Sequence, residues 1–152
     1  TICLVGSEMC IRDRFNDSQI SLEVDVKDKN LQIDCRETEI SQVLLSVVNN
    51  AYDAARKASV RWVKLEAYQK QGMVEIAITD SVEGVPYNVK QRLFDPFFTT
   101  KEVGQGMGLS LSIALGTARK YGGELFLDDT SRNTRFVFQI PLAKKRSMAK
   151  AA

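Results

Sequence analysis

The longest helical pattern in the chain is centred on residues 42–55, QVLLSVVNNAYDAA. Apolar residues recur there with the 3, 4 and 7 spacing of a buried helix face, at Ile40, Val43, Leu44, Val47, Val48, Ala51, Ala54 and Ala55. The pattern predicts a helix over residues 39–57, with Thr38 or Asp34 as its cap. A polar row falls in one sector beside the apolar stripe: Glu39, Gln42, Ser46, Asn50, Asp53 and Lys57. The helix therefore has one face for a core and one edge for solvent or a ligand.

Extended segments flank this helix on both sides. Alternating apolar residues predict strands at residues 20–26, 63–67, 74–78, 125–127 and 136–140, and a further short extended piece at 31–34. Gln71-Gly72 predicts a hairpin turn between the second and third strands. A short helix is predicted at 86–93, and a longer one at 108–121, closed by Gly122-Gly123. This order predicts an α/β fold, a two-layer α/β sandwich whose mixed sheet is covered on one face by helices.

The composition is that of one ordinary globular domain. The 152 residues are 44% hydrophobic and 26% charged, and the net charge of +2 is too balanced to indicate binding to nucleic acid or membrane. The sequence contains no run of ~18 apolar residues, so it predicts no membrane span. The chain has no histidine, which excludes any mechanism that uses one of its own histidines as base, metal ligand or phosphate acceptor. The three cysteines lack metal-ligand spacing and are interpreted as free thiols.

Three segments are predicted along the chain. Residues 1–15 do not match the pattern that follows, and we interpret them as extraneous to the domain or disordered. Residues 16–142 form the domain. Residues 143–152 are small and basic and predict a disordered tail.

Two polar residues stand out as candidate ligands. Asn50 lies in the middle of the long helix, where asparagine is a poor choice, and its side-chain oxygen suits Mg²⁺. Asp80 ends the strand near 74–79, where a carboxylate can accept a hydrogen bond from an exocyclic amine such as that of adenine. The plain alternatives are a solvated helix edge for Asn50 and an ordinary turn aspartate for Asp80.

Two loops between the helices could bind phosphate. Gly104-Gln105-Gly106-Met107-Gly108 runs into a helix, where glycines allow close backbone approach and free N–H groups attract an anion. It follows no strand and lacks the Gly-Lys-Ser/Thr of a P-loop, so it predicts neither a dinucleotide fold nor a P-loop. The segment 94–101, FDPFFTTK, has no regular period, and Lys101 could reach a terminal phosphate. A flexible loop and a hydrophobic surface loop are the plain alternatives.

In order along the chain, these features resemble the catalytic and ATP-binding domain of sensor histidine kinases. That domain belongs to the superfamily of gyrase, Hsp90, histidine kinase and MutL ATPases. QVLLSVVNNAYDAA resembles its asparagine box and DSVEGVP its first glycine box. LFDPFFTTK resembles the phenylalanine box, GQGMGLSLSIA the second glycine box, and RKYGGEL the segment after it. The resemblance covers residues 20–142 and implies the Bergerat ATP-binding fold.

The resemblance implies a role for individual residues. Asn50 matches the asparagine that coordinates Mg²⁺, and Asp80 the aspartate that reads the adenine amino group. Lys101 is a candidate contact to the γ-phosphate. Asn50 and Lys101 are the expected catalytic residues, and Asn50 is the expected metal ligand. The cofactors implied are ATP and Mg²⁺. The implied nucleotide-binding set is Asn50, Asp53, Lys57, Asp80, Gly84, Val85, Phe94, Thr100, Lys101, Gly104, Gln105, Gly106, Met107, Gly108 and Leu109.

The function implied is the ATP-binding catalytic domain of a two-component sensor histidine kinase. It would bind Mg-ATP and donate the γ-phosphate to a histidine on a separate dimerisation domain, which this chain does not contain. A response regulator receiver domain is the second expected partner. We expect this domain to contact neither nucleic acid nor membrane and to be a monomer when isolated. We expect it to lie in the cytoplasm, in a parent protein that is either free or anchored to the membrane by other segments.

Two departures from the family pattern keep alternatives open. Ser46 stands where kinases usually carry asparagine and hydrolysing members a catalytic glutamate, which argues against gyrase-like or chaperone-like hydrolysis. Ser81 and Val82 replace the usual asparagine and glycine. If position 82 requires positive φ or close approach to the base, valine costs ~1–3 kcal/mol and weakens binding ~5–150-fold. The alternatives are a pseudokinase that signals by docking and a serine kinase of the anti-sigma type.

Overall fold

The computed structural model describes residues 12–100, 108 and 110–144. The described elements are β1 (Ser21–Val26), α1 (Glu37–Arg56), β2 (Trp62–Lys70), β3 (Met73–Glu83), α2 (Tyr87–Lys90), α3 (Ser110–Lys120), β4 (Glu124–Leu127) and β5 (Asn133–Pro141). Residues 12–17 are also helical. Across these ranges, no helix is both long enough and apolar enough to cross a bilayer.

The strands form one mixed sheet in the order β1-β2-β3-β5-β4, in which β1 runs parallel to β2 and the other pairs are antiparallel. Gln71 and Gly72 connect β2 to β3 with φ of 51° and 75°, as a tight hairpin requires. The α1 and α3 helices contact each other and the sheet. The predicted two-layer α/β sandwich with a mixed sheet is confirmed.

Two local predictions are wrong. Residues 31–34 form no strand, because the segment pairs with no neighbour in the sheet: Ile33 is buried, and the Gln32 carbonyl accepts a single bond from Ala143 N at 2.8 Å. The cap of α1 is Arg36, without a side-chain capping bond, rather than Thr38 or Asp34. Glu37 and Glu39 in the first turn complement the helix dipole instead.

The core lies between the helices and one face of the sheet. From α1 it takes the predicted apolar stripe, including Ile40 and Val47, both at 0% exposure. From the sheet it takes alternate residues of β3 and β5, such as Ile76, Ile78 and Phe138. This packing fixes the polar edge of α1 relative to the end of β3, which is where the candidate site lies.

The end of α3 is set by Gly122 and Gly123, as predicted. Gly122 has φ of 78°, and Gly123 N donates to Ala118 O at 2.9 Å. A Cβ added at Gly123 would lie 1.8 Å from the Gln139 carbonyl oxygen. The chain therefore leaves α3 in direct backbone contact with β5, which only glycine allows here.

The other face of the sheet is covered by its own polar side chains. Arg135 on β5 donates to Glu66 Oε2 and to Tyr68 Oη on β2, each at 2.9 Å. The strand between them is β3, and the β3 residue opposite Glu66 is Ala77, which has 0% exposure. The arginine side chain therefore spans β3 where the sheet presents a small residue.

The first described residues pack as part of the domain. Phe15 is 2% exposed, and its ring meets that of Tyr52 edge to face at 5.2 Å. The predicted boundary between residues 15 and 16 therefore falls inside a packed helical segment. Residues 1–11 and 145–152, which make up most of the two predicted terminal segments, lie outside the described residues.

Candidate functional site

A cavity of about 380 Å³ lies between α1, the end of β3, α2 and β5. It brings together seven of the residues expected to bind nucleotide: Asn50, Asp53, Lys57, Asp80, Gly84, Val85 and Thr100. It also includes residues that the sequence analysis did not select: Ala54, Val82, Pro86, Val89, Leu93, Thr134 and Phe136. The site thus combines a charged edge with a mostly apolar wall, as ligand cavities commonly do.

Asp80 is the buried polar group of this cavity. Its residue exposure is 2%, and its Oδ1 accepts a hydrogen bond from Val82 N at 2.8 Å. Burial raises the pKa of Asp80 to about 6, and the Val82 N–H group opposes that rise. At neutral pH the carboxyl is therefore mostly ionised. In the described part of the chain no donor bonds its second oxygen, which as a carboxylate oxygen can accept a hydrogen bond from a ligand.

A bulge at the end of β3 sets the direction of Asp80. Thr79 pairs with Arg135 and Glu83 pairs with Asn133, so three residues of β3 oppose the single residue Thr134. Thr134 is 9% exposed, and its Oγ1 lies 3.3 Å from the Val82 carbonyl oxygen and 3.4 Å from that of Gly84. Bulges of this kind redirect side chains at the ends of strands.

The expected backbone strain at Val82 is not present. Val82 lies inside β3 and is not among the residues with positive φ. In this turn the positive φ belongs to Gly84, at 69°, where glycine adopts it without steric cost. The predicted penalty on Val82 from positive φ is therefore wrong, and the conformational requirement lies two residues later.

One edge of α1 forms the polar side of the cavity. Asn50, Asp53 and Lys57 are three and four residues apart and so share one helix face. One turn before them, Ser46 Oγ donates to the Gln42 carbonyl oxygen of its own helix at 2.9 Å. The Ser46 hydroxyl is thus engaged locally, and Ser46 does not line the cavity.

Much of the apolar wall comes from α2 with its flanking residues and from β5. Val89 lies on α2, with Val85 and Pro86 before it and Leu93 after it, whereas Phe136 comes from β5. Phe94, expected to bind nucleotide, does not line the cavity; its ring instead contacts that of Phe136 at 6.3 Å. Phe136 reaches the site because β5 pairs with β3, where Phe136 lies opposite Ile78.

The glycine-rich loop is described only at its end. Gly108 has φ of 69°, and an added Cβ would lie 2.3 Å from the Phe98 carbonyl oxygen. The Gly108 carbonyl oxygen accepts a bond from Phe97 N at 3.1 Å. Gly108 therefore joins the phenylalanine segment by backbone contact and is not in the cavity wall. Lys101, Gly104, Gln105, Gly106, Met107 and Leu109 lie outside the described residues.

Fold and site together define a domain of the α/β-sandwich class with a ligand-sized cavity: a buried carboxylate lies in a mostly apolar cavity between a mixed sheet and a helix with a polar edge. Residues 35–144 match the family described as "Histidine kinase-, DNA gyrase B-, and HSP90-like ATPase". The chain belongs to this family, and it is accordingly an ATP-using domain.

Sensor kinases are among the proteins that the chain is similar to. The two-component sensor PprA of Pseudomonas aeruginosa is 36% identical over 110 residues, which cover 69% of this chain and 12% of that protein. The nucleotide-free catalytic domain of histidine kinase ThkA has a TM-score of 0.76 at 25% identity, covering 88% of this chain and 87% of that one. ThkA in complex with the response regulator protein TrrA has a TM-score of 0.73 at 23% identity, covering 89% of this chain and 38% of that one. The chain thus spans about an eighth of PprA and nearly all of the ThkA catalytic domain.

Proposed function

We propose that the chain is the catalytic domain of a two-component sensor histidine kinase, which binds Mg-ATP and presents its γ-phosphate to a histidine of another domain. The single observation that carries the proposal is the buried Asp80 carboxylate in the cavity wall, with one oxygen held by Val82 N and the other without a partner among the described residues. A carboxylate selects a donor, and the exocyclic amine of adenine is a donor that a purine nucleotide supplies.

The remaining groups of the cavity fit the rest of the nucleotide. Val85, Val89, Leu93 and Phe136 offer apolar surface to the base. The Lys57 ammonium group lies on the polar edge of α1 and can balance phosphate charge. Phosphoryl transfer depends mainly on positioning and charge neutralisation, which these groups can supply.

The donor set of α1 fits Mg²⁺ bound together with phosphates. The described residues contain no cluster of three or more histidine, cysteine, aspartate or glutamate side chains that could hold a metal ion by themselves. Mg²⁺ typically takes one or two protein oxygens beside phosphate oxygens and waters, and Asn50 offers such an oxygen on the cavity wall. When bound there, the ion would neutralise phosphate charge.

The phosphate acceptor must come from another domain, since the chain has no histidine. We therefore propose a histidine-bearing dimerisation domain as the first partner and a response regulator receiver domain as the second. The complex of ThkA with the response regulator TrrA supports the second of these partners by analogy of fold. Lys101 and the glycines of residues 104–108 stay assigned by their resemblance to the family motifs.

A different feature bears on each alternative. The pseudokinase interpretation assumed that Val82 weakens the nucleotide site through positive φ or through close approach to the base, and φ at Val82 is not positive. Hydrolysis of the gyrase type needs a base near Asn50, and the Ser46 hydroxyl instead bonds to its own helix. A serine kinase of the anti-sigma type shares the fold and differs in the side chain that receives phosphate, so the acceptor must be identified directly.

The test is a calorimetric titration of ATP into the chain, first with Mg²⁺ and then with EDTA, for the wild type and for Asp80→Asn. We expect micromolar to sub-millimolar binding that weakens in EDTA and is lost in the variant, because an amide presents an N–H group to the adenine amine. Asp34→Asn, which removes a charge at an exposed position outside the cavity, is the matched control and should bind as the wild type does.

A second measurement identifies the acceptor. The chain is incubated with γ-³²P-ATP and a histidine-bearing dimerisation domain from a related sensor kinase, and the acid stability of the labelled product is measured. An acid-labile phosphohistidine is expected. An acid-stable phosphoserine on a partner would establish the anti-sigma type, and a folded chain that binds no ATP at millimolar concentration would overturn the kinase proposal.

A further inference from the structure

One apolar side chain of the cavity wall lies directly beside the carboxylate. Val82 N donates to Asp80 Oδ1 at 2.8 Å, and both residues line the cavity. The N and Cβ atoms of one residue are about 2.5 Å apart, so Val82 Cβ lies within about 5.3 Å of that oxygen. Val82 is therefore the apolar residue of the cavity wall that is bonded directly to the Asp80 carboxylate.

The position of Val82 is fixed from both sides. Its N–H is held by Asp80, and its carbonyl oxygen lies 3.3 Å from Thr134 Oγ1. The three-residue bulge opposite Thr134 confines the backbone further, since Thr79 and Glu83 on either side are paired with β5. These bonds hold the Val82 backbone in place, so a ligand at Asp80 has to fit beside the branched side chain that the backbone carries into the cavity wall.

We propose that Val82 is a specificity-determining residue, which restricts the cavity to purines whose 6-amino group carries no substituent. The inference rests on the proposed binding of ATP through Asp80. An exocyclic amine that donates one N–H to the carboxylate keeps its other substituent close to the same place. A hydrogen atom fits beside the valine methyl groups there, whereas an alkyl group collides with them.

The exclusion of N6 substituents by Val82 does not require a loss of affinity for ATP itself. The methyl groups contact the unmodified base and add apolar burial, so valine is compatible with ATP binding. A glycine at position 82, as in the family pattern that DSVEGVP resembles, would leave room for an N6 substituent. The replacement therefore changes which purine is accepted rather than whether one is accepted.

The test compares ATP, N6-methyl-ATP and N6-benzyl-ATP by calorimetry with Mg²⁺, using the full chain. The wild type is expected to bind N6-benzyl-ATP at least ~10-fold more weakly than ATP, the scale on which an apolar pocket discriminates by size. In Val82→Gly that ratio should fall below ~3-fold, with N6-methyl-ATP intermediate. Val82→Ala should shift the ratio in the same direction, and it serves if the glycine variant folds poorly.

Two control variants separate shape from general effects. Val82→Thr keeps the branched shape and should keep the wild-type ratio. Val89→Ala removes two methyl groups from the cavity wall on α2, so it should alter the binding of ATP and of the N6 analogues to the same extent.

The outcomes distinguish this inference from the function beneath it. If the wild type binds ATP and N6-benzyl-ATP equally, or if the glycine and alanine variants leave the ratio unchanged, the role of Val82 is overturned while the ATP-binding proposal stands. If the folded wild type binds no ATP, the proposed function falls, and the role of Val82 falls with it.

Discussion

At the scale of single residues, Asp80 is subject to two opposing demands. The proposed ligand binding requires an ionised carboxylate at a position that is 2% exposed. The same burial disfavours the ionised form in the folded state, and so raises the pKa of Asp80 to about 6 and costs stability. Within the described part of the chain the carboxylate accepts one hydrogen bond, from Val82 N, and that bond offsets only part of the cost of desolvation.

Replacement of Asp80 by asparagine should therefore stabilise the ligand-free domain while it abolishes ATP binding. A shift of the pKa from 3.8 to about 6 corresponds to at most about 3 kcal/mol at pH 7–8. Thermal unfolding of Asp80→Asn without nucleotide should thus occur at higher temperature than that of the wild type, with ATP giving no further increase. A variant less stable than the wild type would show that the carboxylate contributes to folding.

The stability difference should depend on pH in a defined window. Between the unfolded value of 3.8 and the folded value of about 6, the folded state holds more protons than the unfolded state. The free energy of unfolding of the wild type therefore falls as pH rises through this window, relative to that of Asp80→Asn. Urea unfolding of both proteins should give a difference that is small at pH 4 and constant above pH ~7. If the stability difference between the two proteins does not change with pH, it arises from hydrogen bonding and not from ionisation of Asp80.

Sequence reasoning identified the polar side of the site and missed most of its wall. Asn50 and Asp80 belong to motifs that the chain displays continuously. Thr134 and Phe136 lie more than fifty residues from Asp80 and reach the cavity only through the pairing of β3 with β5. The φ of Val82 was also beyond prediction, because it depends on a bulge that has no sequence signature here.

At the scale of elements, periodicity predicted every strand of the sheet and the main helices, since each places apolar residues regularly on the face that meets the core, even where, as in β3, both faces are buried. The prediction for residues 31–34 was wrong because four residues are too few for apolar spacing to distinguish a strand from a loop with one buried side chain. The end of α3 was predicted correctly because two adjacent glycines indicate a backbone with positive φ at Gly122 and a close contact at Gly123.

Alanine substitutions at Gly123 and Gly116 test whether the end of α3 requires a glycine in contact with the β5 backbone. Gly123→Ala places a Cβ 1.8 Å from the Gln139 carbonyl oxygen, so it should destabilise the domain by at least about 2 kcal/mol. Gly116→Ala, in the interior of α3 with no atom within 4 Å of the new Cβ, should stabilise it by about 0.5–1 kcal/mol. Urea unfolding of both variants measures the two effects. Equal effects would mean that α3 ends without this backbone contact.

At the scale of the whole molecule, the domain extends beyond the boundary that the sequence suggested. Phe15 closes one end of the core through its contact with Tyr52. This residue falls in the segment interpreted as extraneous to the domain or disordered, because residues 1–15 do not match the pattern that follows. Three-dimensional packing alone shows what it contributes.

Phe15→Ala should therefore cost about 3–5 kcal/mol, the usual effect of truncating a buried phenylalanine. Asn16→Ala, at an exposed neighbouring position, should change stability by less than about 0.5 kcal/mol. Chemical denaturation of the full chain compares the two. A phenylalanine variant as stable as the wild type would show that the domain begins after residue 15.

The arginine that spans β3 has a consequence for how this sheet can change during evolution. Arg135 reaches Glu66 and Tyr68 only because Ala77 is small, so the four positions on three strands are not independent. A larger residue at position 77 would separate the guanidinium group from Glu66 and Tyr68, leaving Arg135 paired with Asp128 and Glu66 paired with Lys64. Among descendants of a common ancestor, we expect positions 66, 77 and 135 to be substituted together, with arginine at 135 accompanied by alanine, glycine or serine at 77.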